Sequence, residues 1–269
     1  MTIAVAIVFL AGGLVVGLLT GLLGIGGGVL MVPIIFESYV HLGAPLKSAF
    51  ITAVASSLAV ILVTASYASW LHFRQGRLDL RLTLWMGIGT IVGSFAGSHL
   101  LLNIDNRFVR TGFGLFLWSV AASLLLPKSE TTVDRPAMSR NDRIGLIVLG
   151  LFMGTLAALF GIGGTALAVP VLMRFFGISM HRAIAASTSM IVITALVSSV
   201  NYVAMGWHDA QAPVHGIGWI DPIAVALFVP GAIASTRMGI RLAQRFSRVR
   251  LRNLLLLFQL GVGARFIFF

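Results

Sequence analysis

Apolar stretches of about 20 residues, long enough to cross a hydrocarbon core of about 30 Å, recur along the whole chain with no soluble-sized gap between them. A backbone surrounded by lipid has to satisfy its own N–H and C=O groups, so crossings of this kind are read as helices. Hydrophobic residues make up 58% of the chain and charged residues only 10%, which leaves no segment able to form a separate water-soluble domain. The expectation is an all-α polytopic membrane protein, with the lipid bilayer as its main partner. Met1 to Leu23 has no basic leader and no small-residue cleavage site, and it reads as a retained first span.

The chain repeats itself. Gly17-Leu-Leu-Thr-Gly-Leu-Leu-Gly-Ile-Gly-Gly-Gly-Val-Leu-Met-Val-Pro33 is matched in register by Gly154-Thr-Leu-Ala-Ala-Leu-Phe-Gly-Ile-Gly-Gly-Thr-Ala-Leu-Ala-Val-Pro170. Lys47 to Ser56 matches His181 to Met190 more loosely, and Gly93 to Leu102 lies on Gly231 to Ile240. Three matches in order argue for a duplicated unit. The division is a first transmembrane repeat over 1–126, a polar cytoplasmic linker over 127–143 and a second repeat over 144–269.

Each half holds three clear spans, near 46–70, 82–102 and 108–126, then 183–206, 219–236 and 253–268. The Gly-Pro region before them is either one crossing or a helix, a Gly-rich break and a second short helix. Charge separates the two models. With ten spans, the inner side receives Arg74, Arg77, Arg81, Lys128, Arg135, Arg140, Arg143, Arg174, Arg182, Arg237, Arg241, Arg245, Arg248, Arg250 and Arg252, which is 15 of the 19 cations. An eight-span arrangement strands Arg174, Arg182 and the six-Arg run outside. The positive-inside rule therefore favours about ten transmembrane segments in two inverted five-segment repeats, both termini outside. Breaks at matching places of inverted halves point to a transporter's binding site.

The formal charge of +11 accordingly reads as topology and not as nucleic-acid binding. The chain has no cysteine, which removes disulfides and thiol chemistry. No Gly-Lys-Ser or Gly-Lys-Thr follows the Gly-rich stretches, so they are not nucleotide loops, and no cofactor is expected. Hydroxyls without a central His, Asp or Lys base argue against an intramembrane hydrolase; neither catalytic nor metal-ligating residues are expected.

Small residues in succession at a helix start expose N–H groups that bind anions. On that ground Gly26, Gly27 and Gly28, with Gly163, Gly164 and Thr165, are expected to approach a small anionic substrate. Thr52, Ser56 and Ser57, with Ser187, Thr188 and Ser189, supply hydroxyls on the helix after each break. Close packing and back-bonding to helix carbonyls are the plain structural alternatives. His99 and Arg237 take matched positions at opposite mouths of a pathway, where the alternative is interfacial snorkelling. Tyr67, Trp70, Trp118, Trp207 and Trp219 read mostly as interfacial anchors.

All eight carboxylates sit near span ends, in loops or in the linker, which favours an anion over a proton or cation as cargo. Export driven by an inside-negative potential alone is then expected, at about 2.3 kcal/mol per charge per 100 mV.

At these residues the chain resembles the TauE/SafE family of sulfite exporters, whose halves each carry a Gly-x-Gly-Gly-Gly-like stretch, a Pro shortly after and an Ala-Ser-Thr-rich helix. Here those are Gly24 to Gly28, Pro33 and Ala49 to Ser57, then Gly161 to Thr165, Pro170 and Ala183 to Ser189. Thr165 replaces the third glycine of the pattern. The resemblance implies a multi-pass permease of the bacterial inner membrane that exports sulfite, sulfoacetate or a related sulfonate, with a homodimer left open. A permease for another small anion is the nearest rival, and a non-transporting scaffold or receptor the more distant one.

Overall fold

The structure is a computed structural model that describes residues 3–23, 27–125, 139–163, 165–213, 215–243 and 248–268. Among these the chain forms ten helices: α1 (Ile3–Leu23), α2 (Gly28–His41), α3 (Leu46–Arg74), α4 (Leu80–Asn103), α5 (Asn106–Leu125), α6 (Arg140–Phe160), α7 (Thr165–Phe176), α8 (Met180–Gly206), α9 (Pro222–Ala243) and α10 (Arg248–Phe268). Four of them, α3, α4, α6 and α8, are long and apolar enough to cross a membrane. The Gly-Pro regions take the helix, break, short-helix form, with α1 followed by α2 and α6 followed by α7.

Glycine decides which helices pair. Gly89, Gly93 and Gly97 on α4 lie against the backbones of Ile147, Leu151 and Thr155 on α6, while Gly150 and Gly154 on α6 lie against Met86 and Thr90. Matching steps of four residues in the same sense mean that the two helices run parallel and close. Small residues at such spacing let helix backbones approach and gain dispersion contacts that lipid tails cannot replace. A second parallel pair forms in the same way, Gly13 and Gly17 of α1 meeting Phe228 and Ala232 of α9. The other two close pairs are antiparallel. Gly114 on α5 meets Gly263 on α10, where Trp118 Nε1 also donates to Leu260 O at 3.3 Å. Between α3 and α8, the hydroxyls of Ser69 and Ser189 stand 2.6 Å apart, while Leu62, earlier on α3, lines one cleft with Leu196 and Ser199, later on α8.

A buried aromatic cluster ties three of these pairs together. Phe113 on α5 stacks within 5.6 Å of Phe50 on α3, 4.8 Å of Phe266 on α10 and 5.9 Å of Phe160 on α6. Rings at such separations add stabilisation beyond the area they bury.

The helix after the linker starts at Arg140, where Ser139 and Asp142 form a reciprocal capping box. One span boundary differs from the sequence expectation. Residues expected to open a span at 219 instead belong to a loop that folds back on α8. There Trp219 N–H donates to Tyr202 O at 3.2 Å, and Gly218 at φ +59 seats its backbone on Val203. Trp219 is consequently 1% exposed, an interior residue and not an interfacial anchor.

Candidate functional site

The two breaks touch. Helix α6 ends at Gly161, which adopts the left-handed conformation (φ +66, ψ 21) and donates its N–H to Ala157 O at 2.9 Å. A residue with a Cβ resists that turn, so the glycine is what stops the helix here. On the other side, Gly27 opens α2 without a side chain to cap it, and Leu30 and Met31 both donate to Gly27 O at 3.1 Å. Gly28, the next residue, rests against the carbonyl of Gly161 and the Cα of Ile162. The start of one short helix and the end of the opposite long one thus share a buried contact with no side chain between them. Gly26 and Gly164 lie outside the described residues, and Thr165 opens α7 with only its backbone described.

The hydroxyls expected beside the breaks divide between different tasks. Ser57 Oγ lies 2.8 Å from Val54 O and 3.1 Å from Gly161 O, so its proton is shared between its own helix and the break. Ser187 is fully buried, and its Oγ has no hydrogen-bond partner. It stands one turn before Ile191, the residue packed on Gly163, whose φ is +25. Thr188 back-bonds to Ile184 O at 2.8 Å, as a membrane hydroxyl commonly does. Ser189 donates to Ala185 O at 3.0 Å and also meets Ser69 of α3. Thr52 and Ser56, four residues apart, occupy a different side of α3 from Val54 and Ser57. Ser56 Oγ accepts the N–H of Asp221 at 2.9 Å, whereas Thr52 Oγ1 is buried without a partner.

Of the two mouth residues, His99 folds back on its own helix, its ring 4.3 Å from that of Phe95 and its Nδ1 3.1 Å from Phe95 O. Arg237 lies on α9, and only its backbone is described.

Three features lay outside the sequence expectation. Asp221, placed by sequence at a span end, is 5% exposed and accepts the Tyr39 hydroxyl at 2.6 Å. The signal for its position was the Asp-Pro pair that caps and starts α9; nothing local announces its burial. Asp79 caps α4 by accepting from Arg81 and Leu82 N–H at 3.0 and 3.2 Å and forms an ion pair with Arg182 of α8. Partial burial opposes ionisation of Asp79, but the Leu82 N–H, the Arg182 guanidinium and the Arg81 N–H together hold its carboxyl below the ordinary value. The third feature is a run of buried hydroxyls where α4 meets α8. Asn201 Nδ2 donates to Ser98 Oγ at 3.0 Å there, while Ser94, Thr194 and Ser198 have no partner. Their spacing of four residues on each helix was the available clue. Among the described residues, no group of three His, Asp or Glu could hold a metal.

Comparison with known proteins agrees with this architecture. The model of the family described as "Sulfite exporter TauE/SafE" matches residues 9–266. A "Probable membrane transporter protein" of Methanocaldococcus jannaschii is 30% identical, the alignment covering 90% of this chain and 88% of that protein. The "Probable membrane transporter protein YunE" of Bacillus subtilis is 24% identical over 95% of both chains. A "Probable membrane transporter protein" of Xylella fastidiosa is 28% identical over 92% of this chain and 88% of its own length. No solved structure matches.

Proposed function

The chain belongs to the sulfite exporter TauE/SafE family and is a membrane transporter, and on that premise we propose that it carries a small sulfur-containing anion outward across a bacterial inner membrane. Sulfite, sulfoacetate and related sulfonates are the cargo class, bound where the two halves meet. The observation that carries this reading is the buried contact between the two breaks at Gly28 and Gly161.

A helix start carries about half a positive elementary charge and up to four N–H groups without helical partners. Gly27 supplies no side chain to occupy those of α2. An oxyanion entering there finds donors and the dipole, and beside the second break Ser187, one turn before the Ile191 packed on Gly163, holds a buried hydroxyl without a partner. A hydroxyl buried without a partner costs about 1–3 kcal/mol, a cost that a bound anion offsets by accepting its proton.

The helix pairing supports the ten-crossing inverted arrangement. Exchanging the halves turns α5 into α10, and these two run antiparallel, as they must where one half is inverted. Each half is also tied to the other at opposite ends of the molecule, by Asp79 with Arg182 and by Glu37 with Arg265. Rocking one half against the other would loosen one tie while the other holds.

Thermal unfolding of the purified protein with sulfite, sulfate, sulfoacetate, taurine and a simple carboxylate tests the reading. A ligand that binds only the folded form adds about 2.7 kcal/mol at a hundred times its Kd. Sulfite or a sulfonate should raise the midpoint, and Ser187→Ala should weaken that response by about tenfold or more while leaving the unliganded protein at least as stable. A response to carboxylates alone would move the cargo to another class of anion.

A further inference from the structure

The anion reading leaves one buried charged group unused. Asp221 begins α9 beneath the fold-back of residues 207–220, and it touches two helices of the first half. Its Oδ2 accepts from Tyr39 of α2 at 2.6 Å, its Oδ1 accepts from Ile223 N–H at 2.8 Å, and its own N–H goes to Ser56 of α3 at 2.9 Å. Two further polar groups nearby along the chain are buried without partners. They are Thr52 Oγ1, one turn before Ser56 on the same side of α3, and Trp219 Nε1, two residues before the aspartate.

The titratable and charged groups on the surrounding elements are few. Helix α2 brings Tyr39 and exposed His41, while its Glu37 is held by Arg265 of α10 at 2.5 and 2.7 Å. Helix α3 brings Lys47 in its first turn, and the loop brings exposed His208, Asp209 and His215. No cation is paired with Asp221 among the described residues.

We propose that Asp221 is a proton-binding site coupled to transport, whose protonation releases the Tyr39 latch between α2 and α9 and so opens the path at that end of the molecule. This rests on the anion reading above. One proton adds to a carboxylate oxygen, converting a charged acceptor into a neutral acid, and no other bond is made or broken. Hydrogen bonds to an ionised acceptor are roughly twice as strong as neutral ones, so the Tyr39 contact weakens.

Two connections carry the change to the breaks. Helix α2 runs from Tyr39 to Gly28, about 16 Å at about 1.5 Å per residue. Across α3, Ser56 holds Asp221 while its neighbour Ser57 holds Gly161. Loss of the negative charge also removes a repulsion that an anion crossing this region would meet. A proton taken up from outside and released inside in exchange for the outgoing anion adds the proton gradient to the membrane potential as a driving force, in place of the purely potential-driven export expected from sequence.

The native chain has no cysteine, so a single engineered one reports local access. Val32, fully buried on α2 against Gly161, becomes Val32→Cys, and exposed Gln75→Cys corrects for the pH dependence of the thiol itself. In lipid nanodiscs, labelling of Val32→Cys by a water-soluble maleimide, relative to Gln75→Cys, should be about tenfold faster at about pH 5 than at about pH 8 when protonation of Asp221 releases the latch. Adding Asp221→Asn should make labelling fast at both pH values. Tyr39→Phe, which keeps the carboxylate in place, should speed labelling at the higher pH. Labelling indifferent to pH in the Val32→Cys protein, or a pH response that survives Asp221→Asn, overturns the proposal. Adding sulfite or sulfoacetate separates it from the anion reading. A pH response without any anion response retains the proton site and removes the cargo, and the reverse retains the cargo and removes the proton site.

Discussion

Gly161→Ala should destabilise the protein well beyond Gly76→Ala, although the two glycines share a φ of +66. The left-handed conformation costs an L-residue about 1–2 kcal/mol, and restricting the unfolded chain returns about 0.4–1 kcal/mol. Both effects apply equally at the two sites, which leaves Gly76→Ala at a net loss of about 1 kcal/mol. They differ in surroundings. A Cβ at Gly76 meets nothing within 4 Å, whereas one at Gly161 would overlap Ser57 Oγ, sit 2.9 Å from Val32 Cγ2 and lie 3.1 Å from Val54 Cα. Such overpacking costs about 1–3 kcal/mol, so Gly161→Ala should lose about 2–4 kcal/mol. At about 3 °C per kcal/mol for a chain of this size, the midpoints should differ by about 6 °C. Thermal unfolding of both variants in one detergent measures it directly. Equal midpoints would mean that the breaks are not packed as the contact requires, and the argument for a backbone-lined site would fail with it.

Gly93→Leu should separate α4 from α6 and cost about 1–3 kcal/mol or more by overpacking, seen as a lower unfolding midpoint. Asp79→Asn keeps a helix cap but loses the ion pair, so it should cost about 1 kcal/mol, and Asp79→Ala about 2 kcal/mol. Because the folded carboxyl titrates below its unfolded value of about 3.9, its contribution is present at neutral pH and disappears as the pH falls below about 4. Denaturation followed against pH should show this acid-side loss, and it should vanish in Asp79→Asn. Reporter fusions after Phe176 and at the C-terminus should report opposite sides of the membrane; both on one side would discard the ten-crossing topology.

Much of the fold was written in local patterns. Continuous apolar runs separate helices from loops, and the distribution of cations chose the broken-helix form for the paired Gly-rich stretches of α1–α2 and α6–α7. The capping box at Ser139 and Asp142 is equally local. The hydroxyl-rich stretches on α3 and α8 were found, yet spacing along one helix cannot say what faces it. Thr52 and Ser56 therefore went into one group with Ser57, although their sides of α3 lead to different places.

What the sequence by itself determined is the solvent and the repertoire of elements: a hydrophobic composition, a 20-residue length scale and glycine where a helix must stop are all properties of short segments. Only the tertiary structure decided that the breaks meet each other and that Trp219 and Asp221 are interior. Those outcomes depend on residues more than a hundred positions apart, Gly28 against Gly161 and Tyr39 against Asp221. The burial of a carboxylate is set by which helices close around it, and no neighbour in sequence carries that information.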